Sequence, residues 1–205
     1  MRWILILIVS FVFVSQAKAQ RFSGGVLGGI TASQVEGDKY SGFHRLGVTG
    51  GMWVRFPVSD KWGLQGEIKY TQKGSKRNPK PKKGDYTSYS MATHYVELPL
   101  LLRYETQKRF SLLGGVTAGY LIGSKEKDEY GVIDESLIKE SIKKIDIAVT
   151  AGVEVALIPK LSLDLRWAYS LLPIRDLKGD GPYWFDGGQH NQWLSTTLYY
   201  EIDWP

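Results

Sequence analysis

The stretch WGLQGEIKYTQK, residues 62–73, alternates apolar and polar residues along its whole length. Successive side chains of a β-strand point to opposite faces, so a strand here has one apolar face and one polar face. The apolar face comprises Trp62, Leu64, Gly66, Ile68 and Tyr70. The polar face comprises Gly63, Gln65, Glu67, Lys69, Thr71 and Lys73. The same pattern recurs along the chain, which predicts a sheet with one apolar surface.

Residues 1–19 have the three parts of a secretory signal peptide. Arg2 supplies the positive end, an apolar run of 11 residues covers 4–14, and residues 17–19 (AKA) fit a cleavage site. The run is shorter than the roughly 20 residues of a spanning helix, which argues against a membrane anchor. We therefore expect a cleaved signal peptide at 1–19 and one exported domain at 20–205.

The composition excludes several classes of site. Removal of the 19 signal residues from the 205-residue chain leaves 186, and the net charge falls from +5 to +3 with the loss of Arg2 and Lys18. The chain has no cysteine, so it has no disulfides, no thiolate site and no cysteine for lipid attachment. The sequence predicts no cofactor and no metal site.

Eight strands are predicted, separated by connections of alternating length. The strands are 22–34, 43–57, 62–73, 93–105, 110–123, 145–158, 161–171 and 192–204. The glycine-rich first strand leaves its facing ambiguous, and Pro99 predicts a bulge or one missing ladder bond in the fourth. Connections after strands two, four and six are short, whereas 74–92, 124–144 and 172–191 are long. Short periplasmic turns and long outer loops are typical of bacterial barrels, so both termini should be periplasmic.

Aromatic residues on the apolar face favour a membrane barrel over a soluble lipocalin-like barrel, which has the same period with the sides exchanged. At the far ends of the strands this face carries Tyr70, Tyr120 and Tyr169. At the ends near the short turns it carries Phe22, Phe56, Trp62, Tyr104, Phe110 and Trp204. Two aromatic belts are typical of membrane interfaces. We predict an all-β, eight-stranded antiparallel up-and-down transmembrane β-barrel in the outer membrane of a Gram-negative cell envelope.

Two stretches make the chain similar to the PorT-like family of small outer-membrane barrels. They are WGLQGEIKYTQKG at 62–74 and HYVELPLLLRY at 94–104, and the glycine-rich first strand and aromatic-ended last strand agree with them. The resemblance implies an eight-stranded outer-membrane barrel. The founding member is associated with protein secretion across the outer membrane, but most relatives have no assigned activity. We expect a non-enzymatic barrel with a structural or interaction role, with accessory roles in protein secretion or envelope organisation as candidate forms.

The polar face carries nearly balanced charges, which predicts a salt-bridged interior. Its predicted network is Arg45, Arg55, Glu67, Lys69, Glu97, Arg103, Asp146, Glu154, Asp164, Arg166 and Glu201; Lys73 and Asp203 share the face. An eight-stranded barrel is only wide enough for its own side chains, and buried charges must be paired. We therefore expect a filled interior that conducts no ions.

The segment KRNPKPKK at 76–83 carries five cations: Lys76, Arg77, Lys80, Lys82 and Lys83. We expect strand three to reach the outer surface near Lys73, so this segment should project at the level of lipid phosphates. It is predicted to contact anionic outer lipid or an acidic partner, and the alternative is a solvated charge run. The expected partners are outer-membrane lipid and other envelope or secretion proteins at the outer loops, and no nucleic acid.

Three histidines leave a lipid-acting enzyme as an alternative. His44 and His94 have Ser41 and Ser90 nearby, but a serine hydrolase needs a base that a third group orients, and the sequence identifies none near them or His190. We predict no catalytic residues. The third long loop contains three aromatics in PYWF at 182–185, and a short helix is predicted around 133–142.

Overall fold

The alternating stretches form antiparallel strands. The computed structural model describes residues 22–38, 40, 42–106, 109–133, 141–176 and 188–203, except the side chain of Lys83. Its strands are β1 Ser23–Glu36, β2 Arg45–Pro57, β3 Trp62–Arg77, β4 Tyr89–Glu105, β5 Phe110–Asp128, β6 Gly131–Val132, β7 Ile145–Ile158, β8 Leu161–Ser170, β9 Arg175–Asp176 and β10 Gly188–Glu201. A 3-10 helix covers Pro81–Lys83. Among these residues there is no helix with the length and hydrophobicity to cross a membrane. The predicted signal peptide lies outside the described residues.

Eight of the strands close into a barrel, in the order β1-β2-β3-β4-β5-β7-β8-β10, with β10 pairing back onto β1. Every pairing in the barrel is antiparallel. Each joins barrel strands that follow one another in sequence, except the seam, which joins the first strand to the last. Twelve residue pairs form the seam, from Gly25↔Glu201 to Glu36↔His190. The predicted eight-stranded antiparallel barrel is confirmed.

The apolar face points outward and the polar face points into the barrel. On β3, Ile68 is 53% exposed, whereas the next residue, Lys69, is 6% exposed. On β1, Val26 and Ile30 point outward, which resolves the facing that glycines left ambiguous. A soluble barrel would bury its apolar face, so this arrangement requires lipid around the barrel.

Aromatic rings pack together around the short-turn end of the barrel. Phe22 contacts Phe56 and Trp62 contacts Tyr104, each pair with ring centroids 4.7 Å apart. All four rings lie on the outward face, as the predicted belt requires. Trp204, the sixth member of that belt, lies outside the described residues.

Five strands extend beyond their predicted ends at the long-loop end: β1, β3, β4, β5 and β10. β3 continues to Arg77 and β4 begins at Tyr89, so the predicted loop 74–92 is reduced to 78–88. Lys73, where the sequence predicted the end of strand three, is therefore followed by four more residues of β3, and its side chain lies on the inward face, 1% exposed. Beyond the membrane both faces of a strand contact water or polar groups, so alternation disappears from the sequence while backbone pairing continues.

The barrel wall is of unequal height. β5 has 19 residues and β8 has 10, while a spanning strand needs about 9–11. β3, β4 and β5 therefore form a tall wall above the membrane, and β8 ends close to it. The pairing between β3 and β4 is interrupted beside Pro99, which has no N–H to donate. A separate register shift lies between β4 and β5, at His94/Tyr95.

Candidate functional site

The centre of the barrel interior is organised around the carboxylate of Glu67 on β3. Arg166 Nη1 donates to both of its oxygens at 3.0 and 3.1 Å, and Tyr199 Oη donates at 2.8 Å. Gln65 Nε2 donates a further bond at 2.7 Å, and Lys69 Nζ lies 3.6 Å away. Arg166 also binds Asp164 at 3.0 Å. These groups are buried, so each charge is compensated by partners rather than by water.

Lys73 forms a second level nearer the long loops. Its Nζ lies 2.6 Å from Glu97 and 3.0 Å from Asp146. The same ammonium lies over the rings of Trp193 and Tyr95, with centroids at 3.5 and 4.5 Å. Two carboxylates and two aromatic faces surround this cation, which fills the lumen at this level.

Glu154 forms the third level, near the short turns. It binds two guanidinium groups, Arg55 at 2.9 Å and Arg103 at 2.7 Å. Arg55 also lies over the indole of Trp53, at 4.7 Å from the ring centroid.

Nine of the eleven predicted interior residues take part in these contacts. Arg45 stands apart at the long-loop end, where it donates to Ser90 Oγ at 3.2 Å, and Glu201 is half-buried at the short-turn end. Asp203 is exposed and pairs with Lys160 outside the lumen. Tyr199 and Gln65 were missed as network members, although alternation placed both on the inward face.

The basic segment is folded rather than extended. Arg77 Nη2 lies 2.5 Å from Asp85, and this hydrogen bond lowers the pKa of the Asp85 carboxyl. The backbones of Lys80 and Asp85 bond to each other in both directions, at 2.7 and 3.3 Å. Gly84 closes the 3-10 turn at φ 70°, a left-handed conformation that glycine adopts without steric cost. The five predicted cations therefore belong to a compact hairpin end, and one of them is already paired.

A groove of about 310 Å³ lies beside this hairpin end, and we call it the basic groove. Its lining is Tyr40, His44, Lys76, Arg77, Asn78, Pro79 and Lys80. Lys76 and Lys80 are exposed, and the guanidinium of Arg77 lies 5.1 Å from the ring centroid of Tyr40. Among the described residues the lining contains three cations and no carboxylate. Asp85, outside the lining, pairs with Arg77, so the two exposed lysines are the charges that attract an anion to the groove. Lys82 is exposed nearby, and the side chain of Lys83 lies outside the described part of the chain.

The basic groove stands above the membrane. Seven residues of β3 separate Tyr70 in the outer aromatic belt from Arg77, and a tilted strand gains about 15 Å over that length. Because β3 continues past Lys73 to Arg77, the groove lies further along the strand than the predicted position of the basic segment.

The histidines make other contacts. His94 Nδ1 bonds to Tyr70 Oη at 2.6 Å, and Ser90 Oγ accepts from Arg45. His190 is buried with its Nδ1 2.9 Å from the backbone oxygen of Ser170. The aromatic loop 182–185, Ser41 and residues 134–140 of the predicted helix lie outside the described residues.

Comparison with known proteins identifies the same fold. Neisserial surface protein A matches with a TM-score of 0.56 and 14% identity, over 89% of this chain and 100% of that one. Ail of Yersinia pestis, in complex with the heparin analogue sucrose octasulfate, matches with a TM-score of 0.50 and 14% identity, over 89% and 99%. At this identity the likeness establishes the fold alone. No curated protein matches the chain.

The family assignment rests on the sequence as well as the fold. Residues 14–176 match the model of the outer membrane protein beta-barrel domain, which is more than half of the chain. Together with the lipid-facing apolar surface, this match establishes that the protein sits in the outer membrane. The chain belongs to the outer membrane protein beta-barrel domain family.

Proposed function

We propose that this protein is a non-enzymatic outer-membrane barrel that binds phosphate or sulfate groups, carried on a saccharide, in the basic groove. The observation that carries the proposal is the lining of the groove, whose described residues include Lys76, Arg77 and Lys80 and no carboxylate. The centre of the interior offers less, because the charged side chains around Glu67 and Lys73 are paired with one another. The Ail structure, with its bound heparin analogue, is a precedent for polyanion binding on this fold.

The wider role that fits this proposal is an interaction barrel. A groove above the membrane can hold anionic outer lipid, or an envelope component that carries the same groups. The resemblance to the PorT-like family adds an accessory role in protein secretion or envelope organisation to the proposal, with contacts made through the outer loops.

The test compares two triple variants of the purified protein in neutral micelles, with sucrose octasulfate as the probe. Lys76→Gln/Lys80→Gln/Lys82→Gln removes three cations in or beside the groove. Each cation near an anionic group contributes on the order of 1 kcal/mol, so affinity should fall on the order of 100-fold. Added salt should weaken the wild-type complex in the same direction.

The matched control, Lys125→Gln/Lys127→Gln/Lys144→Gln, removes the same charge from exposed positions at the same end that do not line the groove. It should retain most of the affinity. Equal losses in both variants would mean a solvated charge surface without a site, and would refute the proposal. Vesicles with and without phosphatidylglycerol then distinguish lipid from a soluble saccharide as the source of the anion.

A further inference from the structure

A second cavity opens at the short-turn end, far from the basic groove. It has a volume of about 540 Å³, within the range of small-molecule sites, roughly 300–1,000 Å³. Trp53 and Tyr199 are buried and form its apolar floor, with ring centroids 6.0 Å apart. Arg55 and Arg103 line the wall, and Arg109 and Lys160 lie at the rim.

The two wall arginines, Arg55 and Arg103, both bind the carboxylate of Glu154, and neither uses all of its N–H donors to do so. Arg55 uses Nε and Nη2, which bond to Gln65, and Nη2 also reaches Glu154. Arg103 uses Nε for Glu105 and Nη1 for Glu154. Within the described ranges, Arg55 Nη1 and Arg103 Nη2 donate no hydrogen bond. Because a guanidinium carries five N–H donors, each side chain can still bind an incoming oxygen.

The charges of the lining favour an anion. Among the described residues, four cations line the cavity against two carboxylates, Glu154 and Glu201. Glu105 and Asp203 pair with Arg103 and Lys160 from outside the lining, but both carboxylates are exposed, where ion pairs are weak. A carboxylate inside the cavity would meet the guanidinium groups of Arg55 and Arg103, which are largely buried and therefore less hydrated.

We propose that this cavity binds a carboxylate attached to an apolar body, entering from the periplasmic side. The planar guanidinium groups match the two oxygens of a carboxylate, and the rings of Trp53 and Tyr199 provide apolar surface for the body. A free organic acid and the carboxyl end of a peptide present the same chemistry. The volume exceeds what a lone inorganic anion fills.

The experiment measures binding by calorimetry to the whole barrel in neutral detergent. The probes are N-acetyl-Ala-Ala-Phe as the free acid, the same peptide as its amide, and 3-phenylpropionate. The acid peptide should bind at least about tenfold more tightly than the amide, because only the acid forms charge-assisted bonds. Whichever of the two acids binds more tightly, the result supports the site. The difference in affinity shows whether a peptide or a small molecule suits it better.

Arg103→Gln and Arg109→Gln should each weaken the acid probe by about tenfold. Lys61→Gln is the matched control, an exposed cation in a turn at the same end that does not line the cavity. Folding is followed by heat-modifiable gel migration, and Arg109→Gln decides alone if Arg103→Gln does not fold. Equal binding of acid and amide, no binding of either acid, or equal losses in Arg109→Gln and Lys61→Gln would overturn the proposal.

Discussion

Replacing Arg166 with methionine should destabilise the barrel strongly while leaving its shape unchanged. Arg166 is buried and donates to Glu67, Asp164 and Tyr199 at 2.9–3.1 Å. Methionine occupies similar space without a charge, so the change isolates the loss of these bonds. The two carboxylates then remain in the lumen, with Lys69 at 3.6 Å as the remaining cation near Glu67.

The size of the effect follows from the uncompensated charges. Removal of one partner of a buried ion pair costs about 3–5 kcal/mol, because the other charge stays desolvated. With a urea slope of about 1–3 kcal/mol per molar, the unfolding midpoint should fall by roughly 1–5 M. Glu67→Gln combined with Arg166→Met should lose less than the sum of the single changes, by about 0.5–3 kcal/mol.

Reversible urea unfolding in lipid vesicles, followed by tryptophan fluorescence and gel migration, measures these free energies. Arg109→Met serves as a control, since this exposed arginine makes no ion pair within the described residues. A loss below about 1 kcal/mol for Arg166→Met would mean that water solvates the interior carboxylates. A filled, paired lumen would then be wrong.

Three further outcomes are expected. Planar bilayers that contain the protein should show no stable porin-sized conductance steps, because paired side chains occupy the lumen; such steps would contradict this. Gly29→Ala should block formation of the heat-modifiable band, since its Cβ would lie 2.2 Å from a backbone oxygen of β10. Gly28→Ala, with nothing within 4 Å of its Cβ, should fold normally; equal behaviour would refute the steric account. The Arg77 hydrogen bond holds the pKa of Asp85 below its ordinary 3.8, so the Thr87 amide bond to this carboxylate, 3.0 Å long, should persist at neutral pH and break as the pH falls through the lowered pKa. The amide proton shift of Thr87 measures this, and a transition near neutral pH would contradict it.

The sequence predicts whether a side chain points outward or inward wherever neighbouring residues of a strand contact different environments, lipid on one face and the polar lumen on the other. Ile68 and Lys69 show this, since one contacts lipid and the other lies among carboxylates. The rule fails for β1, where glycines have no side chain to reveal a face. It also fails beyond Lys73, where β3 leaves the membrane and residues of one strand no longer meet two different environments.

The candidate sites were only partly predictable, because their partners meet through barrel closure. The charges of Glu67 and Arg166 were expected in the interior, but 99 positions separate them, and no local pattern predicts that they pair. The basic segment was identified from its composition. The contact of Arg77 with Asp85, which lies beside the groove, depends on the turn at Pro81–Lys83, within a stretch that was predicted as a loop.

The seam between β1 and β10 has a consequence for how the barrel is made. Its twelve residue pairs join the two ends of the folded domain, and closing a loop of this length costs about 4–5 kcal/mol of chain entropy. Until the seam closes, two strand edges present unpaired N–H and C=O groups, each of which costs several kcal/mol in hydrocarbon. An open sheet of eight strands is therefore not a stable intermediate in lipid. Insertion and closure form one cooperative event, whose rate depends on how fast the last strand finds the first.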